Sequence, residues 1–202
     1  MNTTQMKRPR GRPSAFDYDE VLEKALNVFW LRGYEGASMT ELTEAMGINR
    51  PSIYAAYGNK EELFSKALAR YMAGPVAYVA EAMSELTAKQ VAEKFLTKSA
   101  ELLSNESNPQ GCMIAIGALF SGEGSAQVQR ELISYRQGYE KALRERFDLA
   151  KFQNDLPQSV NAAALAKYIA TVQQGMSVQS INGATKEELL AVAQQVLEHW
   201  PS

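Results

Sequence analysis

Residues 38–57 constrain the fold of this chain most, because they have the pattern of two short helices joined by a tight turn. Ser38 with Glu41 three positions later has the form of a capping box at a helix start. Apolar residues follow at helical spacing, and Gly47 supplies the left-handed residue that commonly ends a helix. Asn49 can cap the second helix. The pattern therefore predicts a helix-turn-helix unit.

The second helix of this unit is predicted to have an inward and an outward side. Pro51 suits its first turn, and Ile53 and Tyr57 lie four positions apart on the inward side. The residues left to point outward are Arg50, Ser52, Tyr54 and Ala55. A short helix of this kind has the dimensions to enter a DNA major groove.

The flanking residues extend the unit to four short helices around one small core, over residues 17–72. Asp17 with Glu20 resembles a further capping box, and an amphipathic helix follows that should end near Gly33. An ordinary small helical bundle would also show capped helices in series. The tight turn and the polar outer side of the second helix favour the helix-turn-helix interpretation.

The same stretch resembles the DNA-binding domain of TetR/AcrR-type regulators over roughly residues 17–72. The matching segments are Phe29, Gly33-Tyr34, Ser38-Met-Thr-Glu-Leu42, Met46-Gly-Ile48, Ser52-Ile53-Tyr54, Tyr57 and Asn59-Lys-Glu-Glu-Leu-Phe64. The resemblance implies an all-α homodimer, usually a repressor, with a C-terminal ligand-sensing domain. The chain departs from the pattern at Ala55 and Ala56, where many relatives carry larger side chains.

On this basis the chain divides into a basic arm at residues 1–14, a helix-turn-helix DNA-binding domain at 15–72 and a ligand-binding and dimerisation domain at 73–202. The arm contains Arg10-Gly-Arg-Pro13, which resembles the core of an AT-hook. Its arginines could enter a narrow minor groove, as homeodomain arms do. A solubilising basic tail is the alternative.

The predicted partner is double-stranded DNA, contacted from the arm, the reading helix and two helix N-termini. The residues predicted to contact DNA are Arg10, Arg12, Ser38, Arg50, Pro51, Ser52, Tyr54, Ala55, Tyr57 and Lys60.

Charge and cysteine content agree with a regulated DNA-binding protein. The net charge is only −2, but positive charge is concentrated at the head of the chain. One cysteine allows no intrachain disulfide, and neither a signal peptide nor a spanning apolar stretch is evident, so we expect a cytoplasmic protein without a membrane partner. Common catalytic and phosphate-binding motifs are not found, so neither an enzyme nor a cofactor is expected.

The C-terminal part is predicted to form further helices, near residues 75–86, 88–105, 110–121, 125–150, 160–181 and 186–200. The last two are apolar on two sides, and a partner chain could cover the second side to form a four-helix bundle. Both sides could instead belong to the core of one protomer. The predicted dimer interface consists of Ala164, Tyr168, Thr171, Gly175, Val178, Val192, Val196 and Trp200.

A small-molecule inducer of unknown identity is expected in the middle helices, which combine apolar bulk with phenol hydroxyls. The predicted lining is Phe95, Cys112, Met113, Ile116, Phe120, Tyr135, Tyr139 and Met176. Residues of these types at helical spacing are also typical of an ordinary core.

Cys112 follows Gly111 at a predicted helix start, where a thiol can become reactive, although a small buried hydrophobe is the simpler interpretation. The layout also resembles the copper-linked ComR branch of the family. A copper site would favour clustered Cys and Met ligands, and with one cysteine no metal site is predicted. A thiol- or copper-responsive variant and a helical protein-interaction scaffold are the alternative functions.

Overall fold

The structure is a computed structural model that describes residues 16–117 and 125–201, and these residues form an all-helical fold. The predicted all-α class is therefore confirmed. The helices are α1 (Tyr18–Gly36), α2 (Met39–Met46), α3 (Arg50–Tyr57), α4 (Lys60–Ala73), α5 (Tyr78–Met83), α6 (Ala88–Leu103), α7 (Met113–Gly117), α8 (Ala126–Phe152), α9 (Ala162–Ile181) and α10 (Lys186–Glu198).

The first four helices start where local side chains cap them. Asp17, Ser38, Asn49 and Asn59 each accept a hydrogen bond from a backbone N–H group in the first turn of the helix that follows. The helices then enclose a small core that is apolar in the described residues. Phe29 is fully buried in this core, and its ring meets that of Phe64 edge-on with the centroids 5.1 Å apart.

The regular part of α1 ends near Gly33, as expected, because Gly33 has non-helical backbone angles (φ 68°, ψ 177°), and a short further turn runs to Gly36. Two predicted capping boxes are incomplete. The Glu20 carboxylate pairs with Lys24 instead of returning to Asp17. The Glu41 carboxylate accepts a hydrogen bond from Arg32 Nε at 3.1 Å, so the expected capping box with Ser38 is only half formed. The guanidinium at the end of α1 takes the carboxylate that would otherwise return to the helix start.

The remaining helices form the body of the protein. The long helix α8 packs along α9, while α6 packs against both α9 and α10. Capping boxes begin α6 at Thr87 and α10 at Thr185. Among the helices of the described ranges, none has both the length and the apolar character needed to cross a bilayer.

Side chains from α1 and α4 join the first four helices to the body. The indole N–H of Trp30 donates to the Gly111 carbonyl at 2.7 Å. The Ser65 hydroxyl donates to the Glu131 carboxylate at 2.6 Å, and Ser125, which caps α8, donates to a carboxylate of α4. The body is thus fixed to the same two helices that carry the helix-turn-helix unit.

Candidate DNA-binding surface and ligand site

Helix α3 is short, and its cap and its buried side chains attach it to the core along one side only. The Asn49 side chain accepts from Ser52 N–H at 2.9 Å, and the helix ends at Gly58, where φ is 85°. The Ile53 side chain, on the inner side of α3, is fully buried. These contacts leave one side of α3 free to meet another molecule.

The free side of α3 contains the residues predicted to contact DNA from this helix, with one correction. Arg50, Pro51, Tyr54 and Ala55 are exposed, and Ser52 is half-buried. The Tyr54 ring is 47% exposed. These residues remain the predicted candidates for contact with base edges.

Tyr57 is the correction, because its side chain lies in the core and not on the exposed side of α3. It is only 4% exposed, and its hydroxyl donates to the Tyr18 carbonyl at 2.8 Å. Burial raises the pKa of Tyr57 above the usual phenol value. The inward spacing of Ile53 and Tyr57 already indicated this role. Tyr57 therefore anchors α3 to the start of α1.

Two predicted phosphate contacts lie at helix N-termini. The Ser38 hydroxyl is occupied as a cap, accepting from Glu41 N–H at 3.0 Å, but the residue is exposed. Lys60 Nζ lies 4.4 Å from the centroid of the Tyr34 ring, and desolvation lowers the pKa of this ammonium group. The predicted arm contacts Arg10 and Arg12 lie outside the described residues.

The residues predicted to line one pocket are divided between two cavities. Cys112, Met113 and Ile116 line a cavity of about 540 Å³ between α1 and the body, here called the interdomain cavity. Its lining residues are Phe29, Trp30, Leu31, Arg32, Gly33, Phe64, Asn108, Pro109, Gln110, Cys112, Met113, Ile116 and Ile181. Sequence reasoning missed its α1 side, because Phe29 and Trp30 have the spacing of ordinary core residues.

The second cavity lies inside the body and is small, with about 10 Å³ of space. Phe95, Cys112 and Tyr139 line this body cavity. Met176 is buried and Tyr135 is half-buried, but neither lines either of these two cavities. The sequence predicted one pocket, whereas the structure divides these residues between two cavities and leaves Met176 and Tyr135 in neither. Phe120 lies outside the described residues.

Cys112 sits in the wall between these two cavities and is 4% exposed. The Tyr71 hydroxyl donates to its Sγ at 3.5 Å, and its backbone N–H donates to Ser177 Oγ at 2.7 Å. Burial raises the pKa of Tyr71 and of Tyr139. The described residues contain no cluster of three or more His, Cys, Asp or Glu side chains that could hold a metal ion.

Helix α9 presents most of the predicted dimer interface to the outside. Ala164, Tyr168, Thr171, Gly175 and Val178 are all exposed, as is Val192 on α10. Two members of the predicted set differ. Val196 is 4% exposed within one protomer, and Trp200 is half-buried with its ring edge-on to Phe147 at a centroid distance of 5.8 Å. Both already contribute to the core of the protomer.

The capped, outward-facing helix α3 and the helical body behind it define a DNA-binding regulator of the helix-turn-helix class. Residues 21–67 match the bacterial regulatory proteins of the tetR family. The HTH-type transcriptional repressor ComR of Escherichia coli K12 is 30% identical over 203 residues, covering 99% of this chain and 96% of ComR. The chain therefore belongs to the TetR family, and it is a transcriptional regulator and not an enzyme.

Two further relatives support this membership. The HTH-type transcriptional repressor BdcR of Escherichia coli K12 is 28% identical over 194 residues, covering 96% of this chain and 93% of BdcR. A cysteine mutant of the TetR family regulator CifR, solved with 26-bp double-strand operator DNA, is 38% identical with a TM-score of 0.90. That match covers 94% of this chain and 100% of the CifR chain.

Proposed function

We propose that this regulator is a repressor that binds a near-palindromic operator as a homodimer and releases it when a small molecule binds. The observation that carries the proposal is the exposed side of α3, held in place by Ile53 and Tyr57 from within. The similarity to CifR, a regulator solved on its operator DNA, supports the same use of this surface.

Each protomer would place α3 in a major groove. Arg50, Ser52 and Tyr54 would contact bases or phosphates, and Pro51 and Ala55 would pack against the groove. Ser38 and Lys60 would approach phosphates at the N-termini of α2 and α4, where backbone N–H groups favour an anion. Arg10 and Arg12 would enter the neighbouring minor groove.

The exposed side of α9 is the proposed dimer contact. Its small residues Ala164 and Gly175 would allow a second helix to approach closely, and Tyr168 and Val178 would bury apolar surface. A two-fold dimer places two reading helices on one side of the DNA. A near-palindromic operator would match that symmetry.

Release would follow from a change in the distance between the two reading helices. A ligand can only shift DNA affinity if it binds the DNA-free arrangement better than the DNA-bound one. The junction formed by Trp30 and Gly111 joins the two parts of each protomer and would transmit such a change.

The test is selection of bound fragments from genomic DNA with the purified full-length protein, beginning with the DNA beside its own gene. We expect a short near-palindrome whose half-sites lie about one or two helical turns apart. The same selection with an Arg50→Ala, Tyr54→Ala double variant should lose the enrichment. Failure of the parent protein to enrich any sequence at low salt, both as purified and after denaturation and refolding, would overturn the proposal.

A further inference from the structure

We propose that the interdomain cavity is the effector site of this regulator and that it takes a small apolar molecule carrying one acidic group. This inference rests on the ligand-release part of the proposed function. It adds where the ligand binds, which chemical class it belongs to and how its binding reaches the DNA-binding domain.

The size and lining of the interdomain cavity suit a small apolar ligand. Its volume of about 540 Å³ lies within the usual range for ligand pockets. Aromatic and aliphatic side chains of α1, including Phe29 and Leu31, face Met113 and Ile181 of the body across this space. The body cavity holds only about 10 Å³, which is less than one ligand-sized group requires.

The polar groups of the same cavity select the charge of the ligand. Arg32 is the single charged side chain among the described residues that line it, and Asn108 and Gln110 add polar amide groups. The described lining contains no carboxylate. A cation would therefore meet a guanidinium of like charge, whereas a carboxylate could form paired hydrogen bonds with it.

Arg32 can exchange Glu41 for a ligand carboxylate because the ion pair between Arg32 and Glu41 is weak. Its ion pair with Glu41 has an Nε–Oε1 distance of 3.1 Å, and the two side chains are 54% and 36% exposed. Ion pairs this exposed contribute little to stability. A ligand carboxylate can thus replace Glu41 without a large cost.

Ligand binding at this position acts directly on the junction between the two parts. Trp30 lines the cavity and donates to Gly111, and the kink of α1 at Gly33 forms part of the wall. Withdrawing Arg32 from Glu41 also releases the link between α1 and the first turn of α2. The ligand therefore changes how α1 and α2 are held.

The first experiment compares three eight-carbon probes by isothermal titration calorimetry with the full-length protein. Octanoate, octanol and octylammonium share the apolar chain and differ in charge. We expect octanoate to bind most tightly and octylammonium most weakly, with octanoate about fivefold or more tighter than octanol. Equal binding of all three probes, or tightest binding of the cation, would overturn the ligand class.

Variants of the lining locate the site. Ile181→Phe and Gln110→Phe narrow the cavity from two sides and should each weaken octanoate binding by about tenfold or more. Leu149→Phe adds the same ring on an exposed position of α8, outside the lining, and should leave octanoate binding unchanged. Unaltered binding in both cavity variants would place the ligand elsewhere and overturn the proposal.

A further variant separates charge recognition from apolar contact. Arg32→Gln should abolish the preference for octanoate over octanol while octanol binding stays the same. If the preference persists in Arg32→Gln, Arg32 does not recognise the acid and the proposal is wrong on that point.

Operator affinity, measured by fluorescence anisotropy of the selected duplex, distinguishes failure of this inference from failure of the proposed function. Octanoate should weaken operator binding by the parent protein and by Leu149→Phe, but not by Ile181→Phe. Operator binding without any response to bound octanoate would overturn the effector role and leave the DNA-binding function intact.

Discussion

The two parts of the protein bury different kinds of side chain. In α1–α4 the described buried residues are apolar or aromatic, whereas the buried polar residues Ser99, Ser125, Gln173, Ser177 and Ser180 all lie in the body. Polar groups in a core fix a specific arrangement only when their hydrogen bonds are made. The core of the DNA-binding domain is therefore held mainly by packing, while the core of the body also contains hydrogen-bonded polar side chains such as Ser177 and Ser180.

The packed core of the DNA-binding domain gives the largest expected effect. Phe29→Ala removes a fully buried ring that contacts Phe64, and it should lower the free energy of unfolding by about 3–5 kcal/mol. Chemical denaturation followed by circular dichroism measures the loss. Phe152→Ala is the matched control, because that ring is 85% exposed and its removal should change stability little. Equal losses in both variants would contradict the packing argument.

The hydrogen bonds of the body give the next effect. Ser177→Ala removes the acceptor of the buried Cys112 N–H at 2.7 Å, which should cost about 1–3 kcal/mol of stability. Ser159→Ala, at an exposed position before α9, serves as the control. The two variants are compared by urea denaturation. A Ser177→Ala protein as stable as the parent would show that the body core does not depend on this hydrogen bond.

The exposed side of α3 should affect binding and not stability. Tyr54→Ala should cost roughly 1–3 kcal/mol of operator binding, because it removes a predicted contact with DNA. Its melting temperature should stay close to that of the parent, since the ring is 47% exposed. Tyr57→Phe should show the reverse, with lower stability from the lost hydrogen bond to Tyr18. Unchanged operator affinity in Tyr54→Ala would argue against the assigned surface.

The smallest effect concerns the ionisation of Tyr139, a half-buried phenol of the body. Burial raises the pKa of Tyr139, so its neutral form is favoured in the folded state. Its contribution to stability should be complete below the unfolded phenol pKa of about 10 and should fall as the pH rises above that value. Denaturation from pH 7 to pH 11 should show a shallower alkaline decline in Tyr139→Phe than in the parent. Parallel declines would contradict this assignment.

Much of the DNA-binding domain could be predicted because its signals are local. Ser38, Gly47 and Asn49 act on backbone groups only a few residues away, and the structure forms the helices they predict. Tyr57 shows the limit of the site prediction, because its inward spacing was visible but the residue was still assigned to DNA. What the local spacing could not predict is the partner of the Tyr57 hydroxyl, the Tyr18 carbonyl, which lies 39 residues earlier in the sequence.

The interdomain cavity could not be predicted because its walls meet only after folding. Trp30 and Gly111 lie 81 residues apart and are joined by one hydrogen bond. The helical spacing of Phe29 and Trp30 indicates burial but does not tell what covers them. The predicted Cys112, Met113 and Ile116 are part of the lining, yet the α1 side of the cavity was absent from the expectation.

Helix α1 contacts the body near one end and α3 at the other. The Trp30 indole N–H donates to Gly111 of the body, and the Tyr18 carbonyl at the start of α1 accepts from the Tyr57 hydroxyl of α3. Twelve residues of helix separate these two points, a length of about 18 Å. A pivot of about 5° at Trp30 would therefore move the far end by about 1.5 Å, comparable with the helix shifts that separate alternative states in other regulated proteins. A pivot of this size at Trp30 would change the position of α3 by a comparable distance, provided that the α4 contacts Ser65–Glu131 and Glu61–Ser125 move with it.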